Sequence, residues 1–235
     1  MVTSFLLAIV LPIYTLLAGL VGIPYTLVTG NATLLYWLGR LGVRIGFWIA
    51  RIDIVVHGFE KLPQAPHFIY MMNHNSNLDA PAVFLHLPGK VRALGKQELF
   101  KLPILATAMR LGGFVPVNRS NRESAIGSVK NAANLAAAGS SFLIAPEGTR
   151  SRTGKLLPFK KGGFYMAVES EVPVMPITVV GAYRLMPPGS IPIRSGTIEI
   201  FFHDAIETAG IGHAGRAELM EQVRAPMEKT LARFV

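Results

Sequence analysis

The chain of 235 residues contains no cysteine, which excludes disulfide bonds, thiolate metal ligands and a cysteine nucleophile. It is also poor in charge: 16% of its residues are charged, against roughly 25% in ordinary soluble domains. Acidic residues are especially scarce, so the net charge is +9. This balance favours anionic partners such as lipid headgroups or phosphorylated substrates. Nucleic acid is not favoured, because the basic residues are not interleaved with an aromatic platform.

No charged side chain precedes Arg40, and residues 4–28 are almost wholly apolar. At about 1.5 Å per residue, a helix of this length can reach across the core of a bilayer. A cleaved secretory signal fits poorly, because no basic region precedes the apolar run and the run exceeds a typical signal core. Pro12 and Pro24 are expected to kink or break the segment.

Residues 31–51 predict a second apolar helix, with one basic edge formed by Arg40, Arg44 and Arg51. Such a helix is typical of a segment in the membrane interface, and the arginines predict that the rest of the chain is cytoplasmic. Small residues in both segments would allow the helices to approach closely. We therefore predict a membrane-anchoring helical hairpin over residues 1–50, in one leaflet or as a span followed by an interfacial helix. The alternative is a buried pair of core helices.

From Arg51 onward, strand-like and helix-like segments alternate along the chain. This alternation predicts an α/β domain over residues 51–235, with a mainly parallel sheet flanked by helices. The predicted strands cover residues 51–58, 67–72, 91–95, 114–118, 141–145, 174–180 and 197–202. The predicted helices cover residues 79–87, 97–111 with an interruption near Pro103, 122–138, 163–170 and 214–234.

A first polar cluster follows the predicted strand 67–72 and contains His74 and Asp79. Five residues turn a helix by about 500°, so these side chains cannot share one face of a regular helix. They can meet if His74 lies in the strand-to-helix turn and Asp79 at the start of the helix. The carboxylate would then fix the imidazole tautomer and leave the other nitrogen to accept a proton from a substrate hydroxyl. Alternatively, Asp79 is only a helix N-cap and His74 a surface residue.

A second cluster, Glu147, Gly148, Thr149 and Arg150, directly follows the predicted strand 141–145. Glycine lets a backbone approach a ligand closely, and Thr149 and Arg150 can donate hydrogen bonds to phosphate. Glu147 could orient an arginine or hold the loop. The alternative is an ordinary polar turn.

Two further basic residues, Lys96 and Arg119, follow strands. Ligands of α/β sheets bind beyond the carboxyl ends of the strands, so Arg119 and Arg150 could converge on one anion, and Lys96 could join them. Taken singly, each of these residues is more typical of a solvated surface charge.

Together the clusters resemble the glycerolipid acyltransferase family, specifically its bacterial lysophosphatidate acyltransferases, over residues 55–180. The most specific block is Asn73 and His74 followed at the fifth residue by Asp79. The other matching blocks are residues 96–100, 113–119, 147–150 and 172–176. Pro116 departs from the pattern, because the family usually has a large apolar residue at that place.

The resemblance implies that His74 is the general base and that Asp79 orients it. The substrate-binding residues that it implies are Lys96, Arg119, Glu147, Gly148, Thr149 and Arg150. It further implies transfer of a fatty acyl group from acyl-CoA or acyl carrier protein to the free hydroxyl of lysophosphatidate, giving phosphatidate in phospholipid biosynthesis.

Because the thioester is already activated, we expect no metal, covalent nucleophile or further cofactor. The acceptor could instead be glycerol 3-phosphate, another lysophospholipid or a lyso-aminolipid. From a different class, the protein could be a membrane-associated lipid-binding module. A serine esterase is not favoured, because the sequence contains no Gly-x-Ser-x-Gly elbow.

Overall fold

The computed structural model describes residues 2–62, 67–118 and 120–234. The chain begins with two helices, α1 Val2–Thr29 and α2 Thr33–Ala50. We expected Pro12 and Pro24 to kink or break α1, and the expected break is wrong, because the helix runs without interruption through both prolines. A proline inside a helix costs about 3 kcal/mol. Helix α1 packs against α2 and against a later helix, and these contacts favour the helical conformation despite the prolines.

The remainder alternates strands and helices, as predicted. The strands are β1 Ile52–His57, β2 Ile69–Met72, β3 Val91–Lys96, β4 Val115–Val117, β5 Ser141–Ile144, β6 Val174–Val180 and β7 Gly196–Phe202. The helices are α3 Asp79–His86, α4 Pro103–Leu111, α5 Arg122–Ala137, α6 Lys161–Ser170, α7 Ala182–Leu185 and α8 Arg216–Leu231.

Two local differences from the predicted elements have simple causes. The single helix expected over residues 97–111 is a 3-10 helix, Gln97–Lys101, followed by α4. Pro103 disfavours helical geometry at Leu102, whose backbone is extended (φ −84°, ψ 111°). Helix α7 was not predicted, because a single turn is too short to show a helical period.

The seven strands form one sheet in the order β1-β7-β6-β2-β5-β3-β4. Every pairing is parallel except that of β6 with β7, which confirms the prediction of a mainly parallel sheet. Because β2, β3, β4, β5 and β6 run in one direction, their carboxyl ends meet at the same edge. The predicted polar clusters follow β2, β3, β4 and β5, so this edge is where a site is expected.

Helices cover both faces of the sheet, and the central strand β2 is buried on both sides. Tyr70 and Met72 belong to one core with α2 and α3, whereas Ile69 and Met71 belong to a second core with α5, α6 and α8. This division follows from the alternation of side chains along a strand. Strand β2 is therefore held rigidly, and the turn that follows it has a fixed position.

The two N-terminal helices pack closely through glycines. A Cβ atom on Gly42 would lie 2.6 Å from the ring of Tyr14, and one on Gly22 would lie 2.6 Å from Leu35. Gly19 faces α4 instead, since a Cβ atom there would clash with the side chain of Ile104. The predicted role of small residues in helix packing therefore extends beyond the hairpin to the α/β domain.

Arg40 does not lie on an open basic edge of α2. Its guanidinium donates to the carbonyl oxygens of Leu87 and Gly89, both at 2.7 Å. The carbonyls that follow α3 need a donor and Arg40 supplies it, so this arginine ties α2 to the α/β domain. Arg44 and Arg51 are exposed, as predicted.

Helix α1 exposes most of its apolar surface. By length and composition it is long and apolar enough to cross a membrane, and it is the one such helix among the described residues. Its exposed large apolar side chains are Phe5, Leu6, Ile9, Ile13, Leu16, Leu17, Leu20, Val21, Tyr25, Leu27 and Val28. A patch of this size on a soluble protein would be unusual.

Candidate active site

The turn between β2 and α3 brings His74 and Asp79 together. Nδ1 of His74 lies 2.9 Å from Oδ2 of Asp79. The carboxylate is fully buried, whereas 17% of the imidazole side chain is exposed. The predicted meeting of the two side chains is therefore present, with the histidine in the turn and the aspartate as the first residue of α3.

Asp79 is not a simple helix cap. The N-cap of α3 is Leu78, and no side chain caps the helix. Oδ2 of Asp79 instead accepts from the backbone N–H groups of Asn75 and Ser76, both at 2.7 Å, as well as from His74. Because bonds to an ionised acceptor are strong, one carboxylate oxygen closes the turn and orients the imidazole at the same time.

This contact assigns the tautomer of His74. With Nδ1–H donating to Asp79, the lone pair of Nε2 points away from the carboxylate, on the opposite side of the ring. The imidazole side chain is 17% exposed, so the ring is not sealed beneath packed side chains. The arrangement suits a neutral imidazole that accepts a proton.

Glu147 joins the second cluster to the first. Its Oε1 accepts from the backbone N–H of His74 at 2.6 Å, and its Oε2 accepts from the N–H of Leu157 at 2.7 Å. Only 2% of the residue is exposed. Burial raises the pKa of the Glu147 carboxyl, although the two N–H donors and His74 act in the opposite direction. Glu147 was expected either to orient an arginine or to hold the loop. Its contacts with two backbone N–H groups are those of a residue that holds the loop.

The rest of this cluster is held beside the histidine. Gly148 has a positive φ of 68°, a backbone conformation that favours glycine, and the Lys160 side chain lies against it. Thr149 is exposed and Arg150 is half-buried. The next residue, Ser151, donates its N–H to the carbonyl of His74 at 2.8 Å. Thr149 and Arg150 therefore lie between two residues that contact His74.

The other two predicted residues are not brought into this contact network. Lys96 is the last residue of β3, and β5 lies between β3 and β2. Its ammonium is exposed and lies 3.6 Å from the carboxylate of Glu98. Arg119 lies outside the described residues, so its proposed role stays a prediction.

Two buried polar residues of the site were given no role by the sequence analysis. Asn73 donates to the carbonyl of Val179 at 2.9 Å and accepts from the N–H of the same residue at 2.6 Å. The hydroxyl of Ser76 donates to the carbonyl of Met186 at 2.8 Å. Asn73 ties the end of β2 to β6, and Ser76 ties the turn to the end of α7. Their polarity at a strand end was a signal, but their partners lie more than 100 residues away in sequence.

An apolar cavity of about 380 Å³ lies between the hairpin and the α/β domain. The cavity is lined by Leu78 and Pro81, which lie on either side of Asp79 and Ala80 in the sequence. Its other walls include Gly39 and Gly42 of α2 and Ile104 of α4. The glycines that allow close helix packing also leave this space open. The cavity therefore adjoins the His74–Asp79 turn and is suited to an apolar ligand.

Comparison with known proteins identifies the family. The family model described as Acyltransferase matches residues 53–180. The chain is 37% identical over 153 residues to the chloroplastic 1-acyl-sn-glycerol-3-phosphate acyltransferase BAT2 of Brassica napus, covering 64% of this chain and 44% of that protein. It is 30% identical over 171 residues to the human 1-acyl-sn-glycerol-3-phosphate acyltransferase beta, covering 72% and 62%.

Among solved structures, the chain resembles the 1-acyl-sn-glycerophosphate acyltransferase PlsC of Thermotoga maritima, with a TM-score of 0.86 and 24% identity. That match covers 99% of this chain and 95% of the other, and it shows the same fold. The chain spans less than half the length of the Brassica napus relative and of a similar chloroplastic protein of Arabidopsis thaliana, 44% and 46% of their residues. The family match covers more than half of the present chain and includes both clusters at the carboxyl edge of the sheet, so the chain belongs to the acyltransferase family.

Proposed function

We propose that the protein transfers a fatty acyl group from a thioester to the free hydroxyl of lysophosphatidate, producing phosphatidate for phospholipid biosynthesis. The observation that carries this proposal is the contact of 2.9 Å between His74 and the buried Asp79, at the edge of the sheet where the family match lies. The relatives reported above are named as acyltransferases for this acceptor, which supports the choice of substrate.

In the proposed mechanism, Nε2 of His74 takes the proton of the acceptor hydroxyl as the oxygen attacks the thioester carbonyl. Asp79 holds the ring and stabilises the imidazolium that forms. The carbon–sulfur bond then breaks, and the departing thiolate receives the proton from the His74 imidazolium, directly or through water. General base catalysis of this kind contributes roughly 10²–10⁴-fold. The acyl donor, acyl-CoA or acyl carrier protein, is a co-substrate, and the proposed reaction uses no further cofactor.

We place the phosphate of the acceptor at Arg150 and Thr149, because both lie in the loop that Glu147 and Ser151 fix against His74. Arginine grips phosphate through two parallel hydrogen bonds, which would hold the neighbouring hydroxyl in line for attack. Gly148 allows the loop to come close to the ligand. Lys96 and Arg119 remain proposed additions to this set.

The apolar cavity beside Leu78 is the proposed place of an acyl chain. It reaches from the turn that holds His74 to the interface of α1 with α2, so a chain inside it would begin near the reacting carbonyl. Apolar walls would contribute about 0.8 kcal/mol for each buried methylene group.

The hairpin is the proposed membrane anchor, and its packing favours attachment to one leaflet over a full span. Ser4 accepts a hydrogen bond from the N–H of Ile193 at 2.9 Å, and Gly19 packs against Ile104. At about 1.5 Å per residue, roughly 22 Å of α1 therefore lies along the α/β domain. Trp37 and Trp48 are exposed on one face of α2, as expected of a segment at a membrane interface. We propose that the cytoplasmic face of the cell membrane is the one bound.

One experiment tests the proposal. The purified protein, reconstituted in liposomes, is given lysophosphatidate or glycerol 3-phosphate together with acyl-CoA or acyl carrier protein thioester. We expect phosphatidate from the first acceptor, abolished by His74→Ala and retained in His57→Ala, which changes an exposed histidine of β1. Arg150→Ala should raise KM for the acceptor more than KM for the donor.

Three results would count against the proposal. The first is near-normal turnover by folded His74→Ala protein. The second is transfer to glycerol 3-phosphate alone, which would assign a different acceptor. The third is binding of lysolipid without any transfer, which would favour the lipid-binding alternative. Flotation of the protein with the same liposomes tests the membrane attachment, and protein that remains in the unbound fraction would refute it.

A further inference from the structure

We propose that a second, cationic cavity binds the nucleotide part of an acyl-CoA donor, an inference that rests on the proposed acyl transfer. The cavity has a volume of about 720 Å³ and lies between α5, α6 and the carboxyl ends of β3, β4 and β5. It is separate from the apolar cavity beside the hairpin, and none of the residues that the structure describes lines both. Its volume lies within the usual range for small-molecule sites, about 300–1,000 Å³.

The charge of this cavity has one sign. Lys160, Lys161 and Arg216 line it, and no aspartate or glutamate does so among the residues that the structure describes. Three cations around one concave space attract a multiply charged anion, and the low dielectric of the walls strengthens that attraction. The pyrophosphate and the ribose phosphate of coenzyme A supply such charge.

The position of these cations is unfavourable for the helices themselves. Lys160 is the N-cap and Lys161 the first residue of α6, and Arg216 is the first residue of α8. Helix N-termini carry partial positive charge and are stabilised by anions, so cations there oppose the helix dipole. The first turn of α6 contains no acidic residue to compensate, whereas Glu218 in the first turn of α8 offsets part of the effect of Arg216. A bound anion would relieve this repulsion, which is why the placement points to a ligand.

The apolar residues that line the rest of the cavity indicate which kind of anion would fit it. Ile126, Val129 and Tyr165 give the cavity an apolar side, and 58% of Ile126 is exposed. A phosphate group alone would leave this surface in contact with water. A nucleotide uses both parts, because its base packs on apolar and aromatic side chains while its phosphates meet the cations. An acidic carrier protein would present a broad surface to the outside of the cavity and would not fill it.

The cavity shares a loop with the candidate active site. Ala145, Pro146 and Gly148 line the cavity, while Glu147 between them binds the backbone of His74. The stem of Lys160 crosses Gly148, and the N–H of Lys160 donates to the carbonyl of Pro146 at 2.7 Å. A nucleotide held here would therefore leave its pantetheine arm to pass this loop toward His74.

The test compares two thioester donors that differ only in the nucleotide. Palmitoyl-CoA and palmitoyl-pantetheine carry the same reacting group, but the second lacks the nucleotide. The cavity variant combines Lys160→Met, which keeps the stem over Gly148, with Arg216→Gln. The matched control combines Lys130→Met with Lys229→Met, which removes two charges from exposed positions of α5 and α8 that do not line the cavity.

We expect the cavity variant to raise KM for palmitoyl-CoA about tenfold or more, since a charge-assisted hydrogen bond is a strong contact. KM for lysophosphatidate and kcat/KM for palmitoyl-pantetheine should stay unchanged, and the control should resemble the unsubstituted protein. Adenosine 3′,5′-bisphosphate should compete with palmitoyl-CoA, and less effectively in the cavity variant.

Unchanged KM for palmitoyl-CoA, or an equal loss with both donors, would overturn the inference. A selective rise in KM for lysophosphatidate would assign the cavity to the acceptor phosphate and would also overturn it. Calorimetric titration of His74→Ala protein with coenzyme A separates the two proposals, because it needs no turnover. If the protein binds coenzyme A and the cavity substitutions weaken that binding, the nucleotide site is supported even if no acyl transfer occurs. If acyl transfer occurs but coenzyme A does not bind in this way, the nucleotide site is refuted and the proposed acyl transfer stands.

Discussion

Asp79→Asn is the most direct test of how the buried carboxylate acts. The substitution keeps the size of the side chain and one acceptor oxygen, which can still face the N–H groups of His74, Asn75 and Ser76. It removes the negative charge beside the imidazole. A role confined to shaping the turn would survive this change in large part, whereas support of a forming imidazolium would not.

The magnitude follows from the contact distance. With the two charge centres about 4 Å apart and an effective dielectric near 20, the attraction between carboxylate and imidazolium is about 4 kcal/mol. A neutral amide oxygen recovers roughly 1 kcal/mol through its hydrogen bond. The transition state is therefore destabilised by about 3 kcal/mol, which lowers kcat by roughly 10²-fold or slightly more. KM for both substrates should change little, because neither is bound by Asp79.

The assay is steady-state acyl transfer by reconstituted protein, with folding checked by circular dichroism. Asp53→Asn makes the same chemical change at an exposed carboxylate of β1 and should leave kcat unaltered. Asp79→Asn added to His74→Ala should cause no further loss, because the aspartate acts through the histidine. Turnover of folded Asp79→Asn protein within threefold of the unsubstituted enzyme would refute the reasoning.

Two further predictions concern stability. Gly42→Val should lower the free energy of unfolding, measured by denaturant titration, by about 1–3 kcal/mol, because the added methyl groups would clash with the ring of Tyr14. Gly39→Ala is the control. A Cβ atom at Gly39 would have no neighbour within 4 Å, so this substitution should be neutral or stabilising in the same titration. Burial lowers the pKa of His203 to about 4, from 6.5 in the unfolded chain. Its neutral form therefore stabilises the fold above pH 6.5, and this contribution, at most about 3 kcal/mol, is lost as the pH falls toward 4. His203→Gln should flatten the fall in melting temperature between pH 7 and 4.5, and an unchanged slope would contradict the assignment.

The layered fold was predictable because its signals are local. The run Val174–Val180 is apolar at almost every position, as a strand covered on both faces must be, and it forms β6. The pairing of β1 with β7 was not predictable in the same way. It joins Ile52 to Gly196 and depends on the packing of everything between them. Local sequence thus indicates which segments are strands, while their order in the sheet is decided by long-range contacts.

In the candidate site, too, local contacts could be predicted from the sequence and long-range contacts could not. His74 and Asp79 lie five residues apart within one turn, so residue types and spacing were enough to predict their contact. The second layer could not be predicted, because Glu147 reaches His74 from 73 residues away and Asn73 reaches Val179 from 106 residues away. The charge on Glu147 was compatible with orienting an arginine or with holding the loop, and only its two backbone partners distinguish these alternatives.

These long-range contacts explain why a site with so few reacting groups depends on a large domain. The orientation of His74 is set by Asp79 through the ring, by Glu147 through the backbone N–H and by Ser151 through the carbonyl. Two of these three constraints come from the loop that carries Arg150. Displacing that loop would therefore move both Arg150, which we propose binds the phosphate, and His74, the proposed base. Because positioning errors near 1 Å can cost 10²-fold in rate, the loop couples acceptor binding to catalysis through shared backbone contacts.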